Sequence, residues 1–238
     1  MSDNIPFLEH LDELRSAFIK IAIALIIIFP FGYYYSVHII DFLKSISYFS
    51  LNSLIYIQPL ELLFTRIKIA LFVSIIISFP FVAYQIWSFI TPALLHREKK
   101  IIKLFSTASS LLFLFGGSIG LFLVFPAVMR FAVLMETAQI RPMISVNSFI
   151  SLAMILIFGF GLVFQLPIFV FVLTVSGLVN IQTVKKSRPL IVVIILIMSA
   201  VLTPPDIISQ VAMAVPSIIL FELSLLITDK FRKNKVNS

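Results

Sequence analysis

The 238-residue sequence has no cysteine and only 3 histidines, His10, His38 and His96. The lack of thiols excludes disulfides, thiolate metal sites and cysteine nucleophiles. None of the histidines falls inside an apolar block, so no imidazole is available for chemistry there. Charge is scarce too: 12% of residues are charged, about half the ~25% usual for a soluble domain. Tryptophan occurs once, at position 87. Hydrophobic residues fill the space, at 60% of the chain with 25 phenylalanines. They come in blocks near the ~20 residues that a helix needs to cross ~30 Å of hydrocarbon. A β-barrel would instead show alternating segments of ~10 residues. The composition therefore predicts an all-α, polytopic membrane helical bundle.

The chain reads as a single membrane domain, 1–238. A cytoplasmic amphipathic helix at about 6–16 leads into a first crossing at 17–35, interrupted only by Lys20. A cleaved signal peptide would carry a basic leading region, whereas 1–14 is acidic. Further crossings are expected at 69–90, 104–128, 149–174, 189–203 and 207–228, with a cytoplasmic tail at 229–238. Pro80 lies mid-block in the second, Pro167 would kink the fourth, and Glu222 and Pro216 lie in the sixth. The fifth holds 15 residues, roughly 22 Å as a helix and short of the bilayer core. The turn Thr203, Pro204, Pro205, Asp206 follows at once and cannot continue a helix. The last pair is either a hairpin that thins the bilayer or a run buried in the bundle; thinning is the commoner answer to such mismatch.

Six crossings divide the 18 Lys and Arg residues thirteen to five. Arg15, Lys20, Arg97, Lys99, Lys100, Lys103, Lys185, Lys186, Arg188, Lys230, Arg232, Lys233 and Lys235 share the face that holds both termini. The positive-inside rule makes that face cytoplasmic. The net charge of +7 thus reflects membrane orientation, and no nucleic-acid partner is expected.

Catalysis finds little support. Gly116, Ser118 and Gly120 match the G-x-S-x-G pattern of serine hydrolases, but inside an apolar block, not on a strand-to-helix turn. The same Gly116–Gly120 spacing lets helices approach closely. There is no P-loop, no H-E-x-x-H and no paired carboxylates within a block, so no catalytic residue, metal or cofactor is expected. A solute pathway would need ionisable groups at mid-membrane, and only Gln165 and Glu222 offer themselves. Glu222 reads equally well as an interfacial acid, and Gln165 as an interhelical hydrogen-bonding residue.

The N-terminal helix is unusual. Phe7, Leu11, Leu14 and Phe18 fall on one face, and Glu9, Asp12 and Glu13 on another, with Asn4 as a cap and Pro6 in the first turn. A helix lying on an anionic leaflet would show lysines there. Carboxylates suggest either a solvated acidic turn or a site for a cationic partner. Glu98, the single acid in the basic 91–103 loop, belongs to the same face.

Four segments resemble one family: HLDELR at 10–15, PFVAYQIWSFITPAL at 80–94 running on to Glu98, FGFGLVFQLP at 158–167 and LTPPDIISQ at 202–210. Each is long, in order and at a matching helix end, and the resemblance to the TatC family of the twin-arginine protein translocase covers nearly the whole chain. It implies a subunit of a bacterial plasma membrane, or of an organelle, that exports folded proteins using the proton-motive force. It implies that twin-arginine signal peptides of cargo bind at the positions of Glu13, Arg15, Phe89 and Glu98. The implied partners are single-span TatA and TatB proteins and further copies of the chain. Arginine's planar fork can grip a carboxylate bidentately, which agrees with acids on a basic face. The family's short fifth and sixth helices also match. Two departures stand out. Gln165 occupies a position that is often glutamate in the family, so a contact to a partner helix is expected there without a charge. The first extracytoplasmic loop also lacks, between 41 and 50, the proline often found there.

Overall fold

The computed structural model describes residues 4–47, 54–94, 99–134, 143–175, 179–202 and 207–236. The described residues are helical, with one parallel bridge between Ile55 and Ser145. Ten α-helices follow in order: α1 (Asn4–Tyr34), α2 (Ser36–Ile46), α3 (Glu61–Leu94), α4 (Lys99–Ile119), α5 (Phe125–Leu134), α6 (Val146–Val163), α7 (Leu166–Val175), α8 (Ile181–Lys186), α9 (Arg188–Leu202) and α10 (Ile207–Val236). A π-helical turn, Gly120–Val124, joins α4 to α5. Four stretches are long and apolar enough to cross a bilayer: Asp12–Tyr34, Glu61–Ile90, Ile102–Leu134 and Val146–Thr174. A shorter apolar helix covers Arg188–Val201. The all-α membrane fold expected from composition is thus the observed one.

The helices depart from the apolar blocks in instructive ways. α1 is continuous over 31 residues, about 46 Å, so the amphipathic start and the first crossing are one rod rather than two elements. α3 starts at Glu61, eight residues before the uncharged block, and takes in Arg66 and Lys68. α10 runs on to Val236. Backbone hydrogen bonding does not stop where hydrocarbon ends, and polar side chains at such ends reach the interface. Two helices lie in stretches with no long apolar run to announce them: α2, and the six-residue α8 capped by Asn180.

Proline explains two breaks. At the π-turn, Phe125 N–H donates to Gly120 O, five residues back. The widened turn makes room for Pro126, whose ring would clash with a regular i−4 carbonyl. Between α6 and α7, Gln165 N–H donates to Leu162 O at 2.9 Å, a tighter three-residue step. Pro167, lacking an N–H, cannot restore the regular ladder there.

The chain divides into two compact units: 1–39 with 62–110, and 40–61 with 111–238. In the first, α1 and α3 meet where a Cβ on Gly32 would lie 2.8 Å from Ala70 O. Small buried residues, Thr65, Ala70, Ser74, Ser78 and Ala83, line α3 down to Trp87. Trp87 Nε1 donates to Ser109 Oγ of α4 at 2.7 Å, and its ring lies 5.3 Å from that of Phe105.

In the second unit, α10 packs on α7 and α9, and α6 packs on the π-turn. Gly116 and Gly120 form the seam: added Cβ atoms would meet Phe160 O and Leu156 O, each at 2.7 Å. Edge-to-face pairs Phe125–Phe149 and Phe113–Phe158 fill the space beside it. The loop before α3 is fastened to the start of α6 by Glu61. Its carboxylate accepts from Ile57 N–H (2.6 Å), Gln58 N–H (3.3 Å) and Asn147 N–H (3.1 Å).

Candidate functional site

Glu13 and Arg15 lie on the part of α1 that precedes the apolar stretch, and both are exposed. Two residues apart on a helix, they point to different faces. Phe89 is half-buried near the end of α3. Two contacts fix the sense in which α1 and α3 pass: Gly32 meets Ala70, and Ser36, further along α1's direction, meets Arg66, further back on α3. The two helices are therefore antiparallel. Glu13 precedes Gly32 by nineteen residues and Phe89 follows Ala70 by nineteen, about 28 Å of helix in each case. The acid, the arginine and the aromatic ring are thus at one end of the first unit, the end that carries Lys100 and Lys103. Glu98 lies outside the described residues, as do Pro204, Pro205 and Asp206.

Gln165 falls in the second unit at the break between α6 and α7. It is 6% exposed, and its Nε2 donates to Gly161 O at 3.5 Å within its own chain. Glu222 pairs with Arg188 at 3.0 Å, and Asp229 with Lys185 at 2.9 Å. Neither Gln165 nor Glu222 stands as an isolated polar group in an apolar interior. The serine of the hydrolase-like pattern is also accounted for: Ser118 Oγ donates to Leu114 O at 2.7 Å on a regular helix. Among the described residues no group of three or more His, Cys, Asp or Glu could hold a metal.

Sequence reasoning missed the Glu61 fastening, the Trp87–Ser109 bond and a cluster of Arg66 with Ser36 and Tyr33. Trp87 gave a usable signal, because an indole N–H in an apolar block must find an acceptor. The other two join residues 30 and 86 positions apart, and no periodicity reports that.

Long apolar helices with charges gathered at their ends, among them the exposed acids Asp12 and Glu13 on an end that also carries Arg15, Lys100 and Lys103, define a polytopic membrane protein. Comparison with known proteins is more specific. Residues 9–216 match the family of Sec-independent protein translocase protein (TatC). The chain is 38% identical over 229 residues to the TatC protein of Rickettsia prowazekii (strain Madrid E), covering 93% of this chain and 91% of the relative. It is 31% identical over 228 residues to that of Escherichia coli (strain K12), covering 94% and 88%. A crystal structure of the twin arginine translocase receptor TatC superposes with a TM-score of 0.81 at 34% identity, covering 92% of this chain and 99% of the other. The chain belongs to the TatC family. It is a multi-pass component of a protein translocase of the bacterial inner membrane.

Proposed function

We propose that this chain is the signal-peptide receptor of a twin-arginine translocase, and that Glu13 and Glu98 grip the paired arginines of the signal on the cytoplasmic side. The observation that carries this reading is an exposed acid, Glu13, at the same basic end of the first unit as Phe89. Two guanidinium groups suit two carboxylates because each can form a bidentate, charge-assisted pair. Phe89 offers an apolar or cation–π surface beside them. Arg15, on another face of α1, repels cationic segments in the wrong register. Single-span TatA and TatB proteins and further copies of this chain complete the working complex. A partner-helix contact at Gln165 would be made by hydrogen bonding alone and would require its amide, buried and donating to Gly161 O, to turn outward.

The test uses Glu13→Ala and Glu98→Ala, singly and together, with crosslinking to a twin-arginine signal peptide and export of a folded reporter as readouts. Both should fall in each single variant and vanish in the double. Undiminished crosslinking in the double variant would overturn the assignment. A signal carrying two lysines should bind more weakly than one carrying two arginines, since lysine lacks the planar fork; equal binding would count against bidentate recognition.

A further inference from the structure

The end of the first unit away from Glu13 holds a cation with most of its donors unused. Arg66 lies in the second turn of α3, three residues before the uncharged block that opens at Ile69. Its Nε donates to Ser36 Oγ at 2.9 Å, and that hydroxyl donates in turn to Tyr33 O at 2.6 Å. Ser36 has 0% exposure, so this hydroxyl is a fixed anchor. The guanidinium carbon lies 4.7 Å from the centre of the Tyr33 ring, within cation–π range. Hydroxyl and ring together fix the plane of the guanidinium through its Nε edge and one face. The two Nη groups have no acceptor among the described residues.

The surroundings say what the acceptor is. Tyr34 and Tyr35, beside Tyr33 at the end of α1, are 72% and 52% exposed. A run of three tyrosines closing an apolar helix is an interfacial belt, where phenol groups sit at headgroup depth. A half-buried arginine at that depth, with no carboxylate partner, meets one abundant anion: the lipid phosphate. The two-pronged Nη edge matches two non-bridging phosphate oxygens. We propose that Arg66, oriented by Ser36 and Tyr33, binds the phosphodiester of a membrane-lipid headgroup in the leaflet at this end of α1 and α3. The site is independent of signal-peptide binding, which is assigned to the other end.

The experiment purifies the full chain and its Arg66→Ala, Arg66→Lys and Lys68→Ala variants. It measures phosphatidylglycerol retained per chain after a detergent wash, and the shift in thermal unfolding on adding phosphatidylglycerol or inorganic phosphate. Arg66→Ala should retain about fivefold less lipid, the change expected from one basic side chain at a surface. Arg66→Lys should fall nearly as far, because an ammonium loses both the fork and the stacking. Lys68→Ala, two residues along and on another face, should fall much less. Inorganic phosphate should not shift the unfolding temperature. Equal retention by wild type and Arg66→Ala would overturn the proposal, as would equal losses at positions 66 and 68, which indicate diffuse charge. Stabilisation by inorganic phosphate as large as by lipid would replace the lipid with a free anion. Should Arg66→Ala fail to fold, Ser36→Ala keeps the charge while releasing its orientation, and an unchanged retention there would overturn the proposal equally.

Discussion

At the scale of single residues, glycine is the most constrained side chain of the second unit. Gly120 stands where any Cβ would meet Leu156 O at 2.7 Å and Leu156 C at 3.0 Å, and both atoms are backbone. Backbone cannot swing aside as a rotamer does, so a larger residue must push α6 away from the π-turn. Between membrane helices that contact is most of the attraction, because lipid supplies no hydrophobic drive for helix association. Gly120→Leu should therefore destabilise by about 1–3 kcal/mol, the usual cost of overpacking, seen as a lower unfolding temperature in detergent. Gly117→Ala is the control: its Cβ would meet Ile157 Cγ2 at 3.3 Å, a side-chain atom that can yield. Its unfolding temperature should stay near wild type; a drop as large as for Gly120→Leu would show that the seam is not the cause. The glycine spacing was legible in the sequence as a packing motif, but not which helix it packs on, since Leu156 is 36 positions away.

Elements test a different quantity, the fixing of one helix against another. Trp87 is the single tryptophan, it is 3% exposed, and it bonds across to Ser109 of α4 at 2.7 Å. Its fluorescence therefore reports on the α3–α4 contact. Ser109→Ala should shift the emission and cost about 0.6 kcal/mol, a typical value for a hydrogen bond between membrane helices. An emission spectrum identical to wild type would mean that the indole N–H is satisfied elsewhere. Element existence was largely readable, because apolar block length states how much hydrocarbon a helix can cross. The fifth block, at 189–203, differs from α9 by one residue at each end. Boundaries failed where physics other than hydropathy decides them. α3 begins at Glu61 because its carboxylate accepts three backbone N–H groups there, and α2 forms over Ser36–Ile46 with Ile40 and Leu43 buried. At the candidate site, Glu13 and Phe89 could be named from the motif, and their common end follows once antiparallel helices are paired. The Arg66 cluster was illegible for lack of any local pattern.

For the molecule in its bilayer, the pairing of α9 with α10 predicts a preferred thickness. Arg188 begins α9, fourteen residues before Leu202, and Glu222 lies fifteen residues after Ile207 on α10. Arg188 is thus about 21 Å of helix from Leu202 and Glu222 about 22 Å from Ile207, and the two are joined at 3.0 Å. Lys185 and Asp229 repeat the pairing further from those ends. The Arg188 and Glu222 side chains are 41% and 39% exposed, so the pair belongs at an interface, where its own strength is under ~1 kcal/mol. Its larger consequence is positional: it places the polar edge some 8 Å nearer those ends than a ~30 Å hydrocarbon core would. The α9–α10 pair should accordingly be most stable in thin bilayers. Reconstituted into vesicles of graded acyl-chain length, the wild-type chain should unfold at its highest temperature with short-chain lipids. Glu222→Leu leaves 207–228 without a charged residue and should move that optimum to longer chains, since mismatch costs a fraction of a kcal/mol per Å. The pair's loss alone would lower stability equally at every thickness. An optimum that stays in place on Glu222→Leu would show that the acid does not mark the membrane edge.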